Sequence, residues 1–116
     1  MAFTKILVPT DGSEFTKAAI REAVDLAKVS GGKITALYVI DQTLFGNVPV
    51  DSSVNAIYDM MDKEGHNATA FVKSLGKENG IEVEELVVNG SPVKSIVEAS
   101  KDFDIIVLEQ HLILYF

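Results

Sequence analysis

Four short apolar runs are separated by three stretches with helical rhythm. The runs are KILV at residues 5–8, KITALYVI at 33–40, EVEELVV at 82–88 and DIIVL at 104–108. Near-continuous apolar runs of this length suit strands covered on both faces. Strands that alternate with helices pair in parallel through right-handed crossovers. The order is therefore β-α-β-α-β-α-β, an α/β fold with a doubly wound parallel sheet. In such sheets ligands bind beyond the carboxyl ends of the strands, where the strand order reverses. The residues of interest should follow Val8, Ile40, Val88 and Leu108.

The intervening stretches carry helix signals. In residues 13–29, Ala19, Ile20, Ala23, Val24, Leu26 and Ala27 share one broad face. Alanine is the best helix former, and small residues let a helix sit close to a sheet. Ser13 is placed to cap this helix and Gly31 to stop it. In residues 54–77, Val54, Tyr58, Met61, Gly65, Ala68, Val72 and Leu75 keep a 3.6-residue rhythm. Ser52 or Ser53 can cap that helix, and Asn79-Gly80 can end it. Gly65 inside it costs about 1 kcal/mol relative to alanine, so it marks a close approach or a bend. The third helix begins at NGSPVKSIVEAS, with Ser91 as cap and Pro92 at the first helical position. The stretch 41–53, DQTLFGNVPVDSS, reads as a long connection that could also serve as a lid or a partner surface.

At 116 residues a single domain spanning 1–116 is expected, large enough to hold a core without metal or disulfide staples. No apolar run approaches the roughly 20 residues a membrane helix needs. The start MAFTKILVPTDG lacks a long apolar segment after a basic one, so no signal peptide and no membrane partner is expected. There is no cysteine, which removes disulfides, thiolate catalysis and cysteine metal sites. A cytoplasmic location is the simplest expectation. The formal charge is −7, and the ten basic residues are scattered. Nucleic-acid binding depends on neutralising phosphates with Lys and Arg, so none is expected.

The stretch VPTDGSE at residues 8–14 directly follows the first strand. It is neither a Walker A loop nor the G-x-G-x-x-G dinucleotide fingerprint. An ionised Asp11 is an acceptor only. It would repel a phosphate and accept hydrogen bonds from a ribose hydroxyl or a base amine. On the plainer reading, Asp11 and Ser13 simply cap the helix. SGGK at residues 30–33 follows a helix and precedes a strand, the wrong order for an anion site, and reads as a C-cap and turn. His66 and His111 stand in no ligand-spaced motif, so no metal site is expected. Glu82 and Glu84 alternate onto one face, which suggests an edge strand with a solvated side. No Ser-His-Asp arrangement can be argued from spacing. No catalytic residue is assigned.

KILVPTDGSEFTKAAIREAVDLAKVSGGKITALYVID and the later VVNGSPVKSIVEASKDFDIIVLE resemble universal stress protein domains, over residues 3 to about 108. The resemblance implies a five-stranded parallel sheet of order 3-2-1-4-5. Many members bind ATP and many pair as dimers, while others bind no nucleotide. By the resemblance, Asp11 contacts the nucleoside with Pro9 and Thr10 beside it, Val39 lies against the adenine, and Leu108 takes the apolar place before the phosphate loop. That loop departs from the family pattern. Glu109 stands where its first glycine should be and Leu112 where the second should be. The family's Gly-Ser pair, last helix and fifth strand have no counterpart in the sequence, and the terminal run reads as a replaced or truncated end. The implied function is a binding or regulatory module in stress response with ATP binding weak or lost, and not an enzyme. The alternatives are an adenine-nucleotide-binding protein with slow ATP hydrolysis and a ligand-free, dimer-forming structural module. HLILYF, residues 111–116, is expected to form a strand at the edge of its own sheet or on a partner chain, giving a homodimer.

Overall fold

The computed structural model describes residues 4–42 and 51–108, with the side chain of Ser52 left aside. The 43–50 part of the long connection, Glu109, His111, Leu112 and the HLILYF run lie outside the described residues. The elements follow the expected order: β1 Lys5–Pro9, α1 Glu14–Ser30, β2 Lys33–Asp41, α2 Ser52–Glu78, β3 Val83–Gly90, α3 Pro92–Ser100 and β4 Ile105–Ile106. All pairings are parallel and the sheet order is β3-β2-β1-β4. The four described strands thus take the first four places of the order 3-2-1-4-5.

Register sorts the side chains. Ile6 pairs with Ile34 and with Ile105, and Ile34 pairs with Val83, so these four form one row. With Val8 and Ala36 they face Ile20, Ala23, Val24 and Ala27 of α1 and Val72 of α2 in the main core cluster. Both first helices therefore cover one face of the sheet. On the other face α3 lies over Leu37, Leu86 and Val88. No residue of α3 is buried, and Val93 remains 74% exposed.

The caps explain where the helices start. Gly31 ends α1 in the left-handed region at φ 73°, with its N–H on the Ala27 carbonyl. Glycine takes that conformation without a Cβ penalty. α2 starts earlier than its apolar rhythm, and its cap is Asp51, not Ser52 or Ser53. The Asp51 carboxylate accepts from the N–H groups of Ser53 at 2.9 Å and Val54 at 3.2 Å. A charged acceptor at a helix N-terminus gains from the helix dipole as well as from the bonds. Ser13 and Ser91 occupy the cap positions of α1 and α3, but neither side chain makes the cap bond.

Two strands differ from their apolar runs. β3 extends to Gly90 because its ladder with β2 continues through Asn89 and Gly90, opposite Ile40 and Asp41. β4 forms ladder pairs only at Ile105 and Ile106, opposite Ile6 and Leu7; the next β1 residue turned toward it is Pro9, which has no N–H to donate. β3 stands at the sheet edge, and Lys33 reaches both of its predicted same-face carboxylates, Glu84 at 3.1 Å and Glu82 at 3.8 Å. At Gly65 the ambiguity resolves in favour of a close approach. A Cβ there would stand 2.7 Å from Cδ1 of Tyr38. No helix among the described residues is long and apolar enough to cross a membrane.

Candidate functional site at the carboxyl end of β1

Pro9 closes β1, and the Thr10 N–H extends the pairing by donating to the Leu37 carbonyl at 2.8 Å. The chain must then turn from strand to helix within residues 10–13. A line of hydroxyl bonds holds that turn. Gly12 N–H donates to Thr10 Oγ1 at 3.1 Å, and the Thr10 and Thr16 hydroxyls lie 3.0 Å apart. Thr16 Oγ1 also donates to the Ser13 carbonyl at 2.9 Å. A hydroxyl has one proton, so in the Thr10–Thr16 pair Thr10 is the donor. Both threonines are buried, at 6% and 9% exposure. Gly12 sits at φ 80°, which only glycine adopts freely, and a Cβ there would stand a tight 3.3 Å from Ala68 Cβ.

Asp11 is carried at the apex of this turn, exposed to solvent. Its Oδ1 accepts the Ser13 N–H at 2.8 Å. Partial burial pushes the carboxyl up, but the nearby Ser13 hydroxyl and the Ser13 N–H outweigh it and hold Asp11 below the usual carboxylate value. Ser13 Oγ is itself sealed from solvent and makes no well-formed hydrogen bond. Asp11 is therefore a fixed, charged acceptor with lone pairs to spare.

Beside it opens a cavity of about 440 Å³ between the start of α1 and the middle of α2. Thr10, Asp11 and Ser13 line one side, and Glu64, Asn67 and Phe71 of α2 line the other. The lining also holds Lys17, whose Nζ is 2.6 Å from Glu14 Oε1 and 5.0 Å from the centre of the Phe71 ring. Tyr38 adjoins: burial raises its phenol, and the charges of Glu64 and Asp11 raise it further, so it stays protonated. The site is rich in acceptors, and its cation is already engaged.

Of the residues singled out in the sequence, Thr10 and Asp11 come together in this cavity. Pro9, Val39 and Leu108 do not line it. Pro9 pairs with Leu37 and Val39 with Val88, and strand alternation turns both toward the α3 side. Leu108 follows β4 and is 41% exposed. Sequence reasoning missed Thr16, Glu64, Asn67 and Phe71. Thr16 left one signal: it is a polar residue on the face of α1 that carries Ala19, Ala23 and Ala27. His66 is exposed and lies 3.5 Å from Asp62 along the same helix. No cluster of three metal-ligating side chains occurs among the described residues.

A parallel sheet of order β3-β2-β1-β4 with helices on both faces belongs to the doubly wound α/β class. The family can be stated more closely. The profile of the Universal stress protein family matches residues 2–111, and the chain belongs to that family. Over 108 residues it is 32% identical to Universal stress protein MJ0531 of Methanocaldococcus jannaschii, covering 91% of this chain and 64% of that protein. The chain thus spans less than two thirds of that relative's length. It is 30% identical over 107 residues to Universal stress protein YxiE of Bacillus subtilis, covering 86% of this chain and 72% of the relative. The solved structure of MJ0577, also a universal stress protein of Methanocaldococcus jannaschii, superposes with a TM-score of 0.78 at 27% identity, covering 92% of this chain and 74% of that one.

Proposed function

We propose that this chain is a non-catalytic binding module of the stress response that holds the nucleoside part of an adenine compound at Asp11 and holds the phosphates of ATP weakly or not at all. The observation that carries the reading is the charged Asp11 carboxylate, fixed by Ser13 at the end of β1 beside an open cavity. A carboxylate accepts from ribose hydroxyls and base amines and repels phosphate. By the family resemblance, Glu109 and Leu112 take the places of the glycines that would close backbone N–H groups on a phosphate. Ser13 Oγ, the hydroxyl beside Asp11, is sealed from solvent, which supports binding without turnover.

Calorimetric titration with adenosine and with ATP tests this. Adenosine should bind more tightly than ATP. Asp11→Ala should weaken adenosine roughly tenfold to a hundredfold, the value of a hydrogen bond to a charged group. ATP binding tighter than adenosine, or adenosine binding that ignores the Asp11 substitution, refutes the reading.

A second reading, a dimer-forming module, is favoured by the apolar side chains left open on the α3 side. Leu86 is 40% exposed, Val97 56% and Val93 74%. Val93 and Val97 stand one turn apart on α3, and exposed apolar patches mark interaction sites. Sedimentation velocity of the full chain and of Val93→Asp tests it: a dimer that survives the substitution unchanged refutes this placement of the interface.

A further inference from the structure

We infer that Glu64 is the specificity-determining residue of the Asp11 cavity, the group on α2 that admits an uncharged nucleoside and turns away its phosphorylated forms. This rests on the nucleoside reading above and extends it to a residue that neither the β1 turn nor the family resemblance assigns.

The cavity has two walls and a carboxylate in each. Asp11 stands in the turn after β1 and Glu64 stands on α2. The position of Glu64 is fixed by its neighbour. Gly65 packs against the Tyr38 ring, where a Cβ would come within 2.7 Å, so the α2 backbone cannot draw away from β2 without opening that contact. Asp11 and Glu64 therefore converge on one space, and both act on the Tyr38 phenol between the sheet and α2.

Neither charge is neutralised by the cavity itself. Lys17 is the cation in the lining, and it is held by Glu14 at 2.6 Å and stacked over Phe71. Among the described residues no cation pairs with the Glu64 carboxylate. A phosphate carried into this space meets two carboxylates and gains no free cation. A nucleoside meets acceptors only. Like-charge juxtaposition of this kind discriminates between ligands more than it changes the affinity of the preferred one. Of the two carboxylates, Asp11 is the acceptor that holds the ligand, so selectivity can be altered without losing binding only at Glu64.

The test measures adenosine and AMP binding to the whole chain as wild type, Glu64→Gln and Glu64→Lys. Glu64 is solvent-exposed, so both variants should fold, and their circular dichroism should match wild type. Wild type should prefer adenosine. Glu64→Gln should lower the adenosine-to-AMP affinity ratio about threefold and Glu64→Lys about tenfold or more. The AMP penalty in wild type should also shrink with added salt, as a screened charge effect must. If adenosine binds and the adenosine-to-AMP ratio is the same in all three proteins, the role assigned to Glu64 is wrong while the nucleoside reading stands. If wild type binds neither compound, both fall together.

Discussion

The hydroxyl of Thr10 donates to Thr16 Oγ1 across 3.0 Å of buried space, and this bond ties the end of β1 to the first turn of α1. The two stand six positions apart in sequence, and Asp11 lies between them. The bond therefore sets the height at which the Asp11 carboxylate is presented. It also uses the only proton Thr10 has, leaving its oxygen to receive the Gly12 N–H. The turn is a closed chain of donors and acceptors, and each link is short of an alternative partner once removed from water.

Thr16→Val keeps the shape and removes the hydroxyl. Thr10 then loses its acceptor and the Ser13 carbonyl loses a donor. An unsatisfied buried polar group costs about 1–3 kcal/mol, so the variant should be less stable by that amount in urea denaturation. Thr16→Ser should restore most of the loss, because the hydroxyl returns and only a methyl is gone. Equal destabilisation by both substitutions would mean that packing, not hydrogen bonding, is the role of Thr16.

Gly65→Ala offers a test in which the two effects have opposite signs. Alanine in a helix interior is favoured over glycine by about 1 kcal/mol. Here the added Cβ would stand 2.7 Å from the Tyr38 ring, a distance real Cβ atoms do not tolerate. Overpacking of a core costs about 1–3 kcal/mol, so the net change should be destabilising. Tyr38→Ala removes the ring, and in that background Gly65→Ala should turn stabilising. A double-mutant cycle in thermal unfolding reads the coupling directly. If Gly65→Ala stabilises the wild-type background, α2 does not rest on Tyr38 as described.

The fold was legible because its signals are periodic and repeated. The four apolar runs located the strands, Gly31 and Asn79-Gly80 located two helix ends, and Pro92 located the start of α3. The α2 cap was misread because Ser52, Ser53 and Asp51 are all good caps, and only the backbone turn decides which oxygen meets the free N–H groups. β4 is shorter than its apolar run because the next β1 residue turned toward it, Pro9, has no N–H to continue the ladder. The site was legible only on its strand side. Asp11 stands out by following a strand, whereas Glu64, Asn67 and Phe71 lie about fifty residues away on a charged, exposed-looking stretch of helix. Nothing in the local sequence separates Glu64 from Asp62 or Lys63 beside it. The crossover through β2 brings those two turns of α2 over the end of β1.

Asp104 carries the last prediction. A single oxygen, Oδ2, accepts from Thr4 N–H, Thr4 Oγ1 and Lys5 N–H, each at 3.0 Å. Its own N–H returns a bond to the Lys5 carbonyl at 2.9 Å. The residue thus fastens the start of β4 to the start of β1, across a sequence gap of almost the whole described chain. The Lys5 N–H foremost, then the Thr4 hydroxyl, favour the charged carboxylate and hold Asp104 below its usual value. The folded state is therefore the weaker proton binder. Its contribution to stability is complete above the unfolded value of about 3.9 and is lost as pH falls through the lower folded value. Urea denaturation between about pH 2.5 and 6 should show stability dropping toward the acid end. Asp104→Asn cannot titrate, so its curve should lie below wild type near pH 6 and approach it at the acid end. Parallel curves across that range would show that Asp104 is not held in its charged form by Thr4 and Lys5.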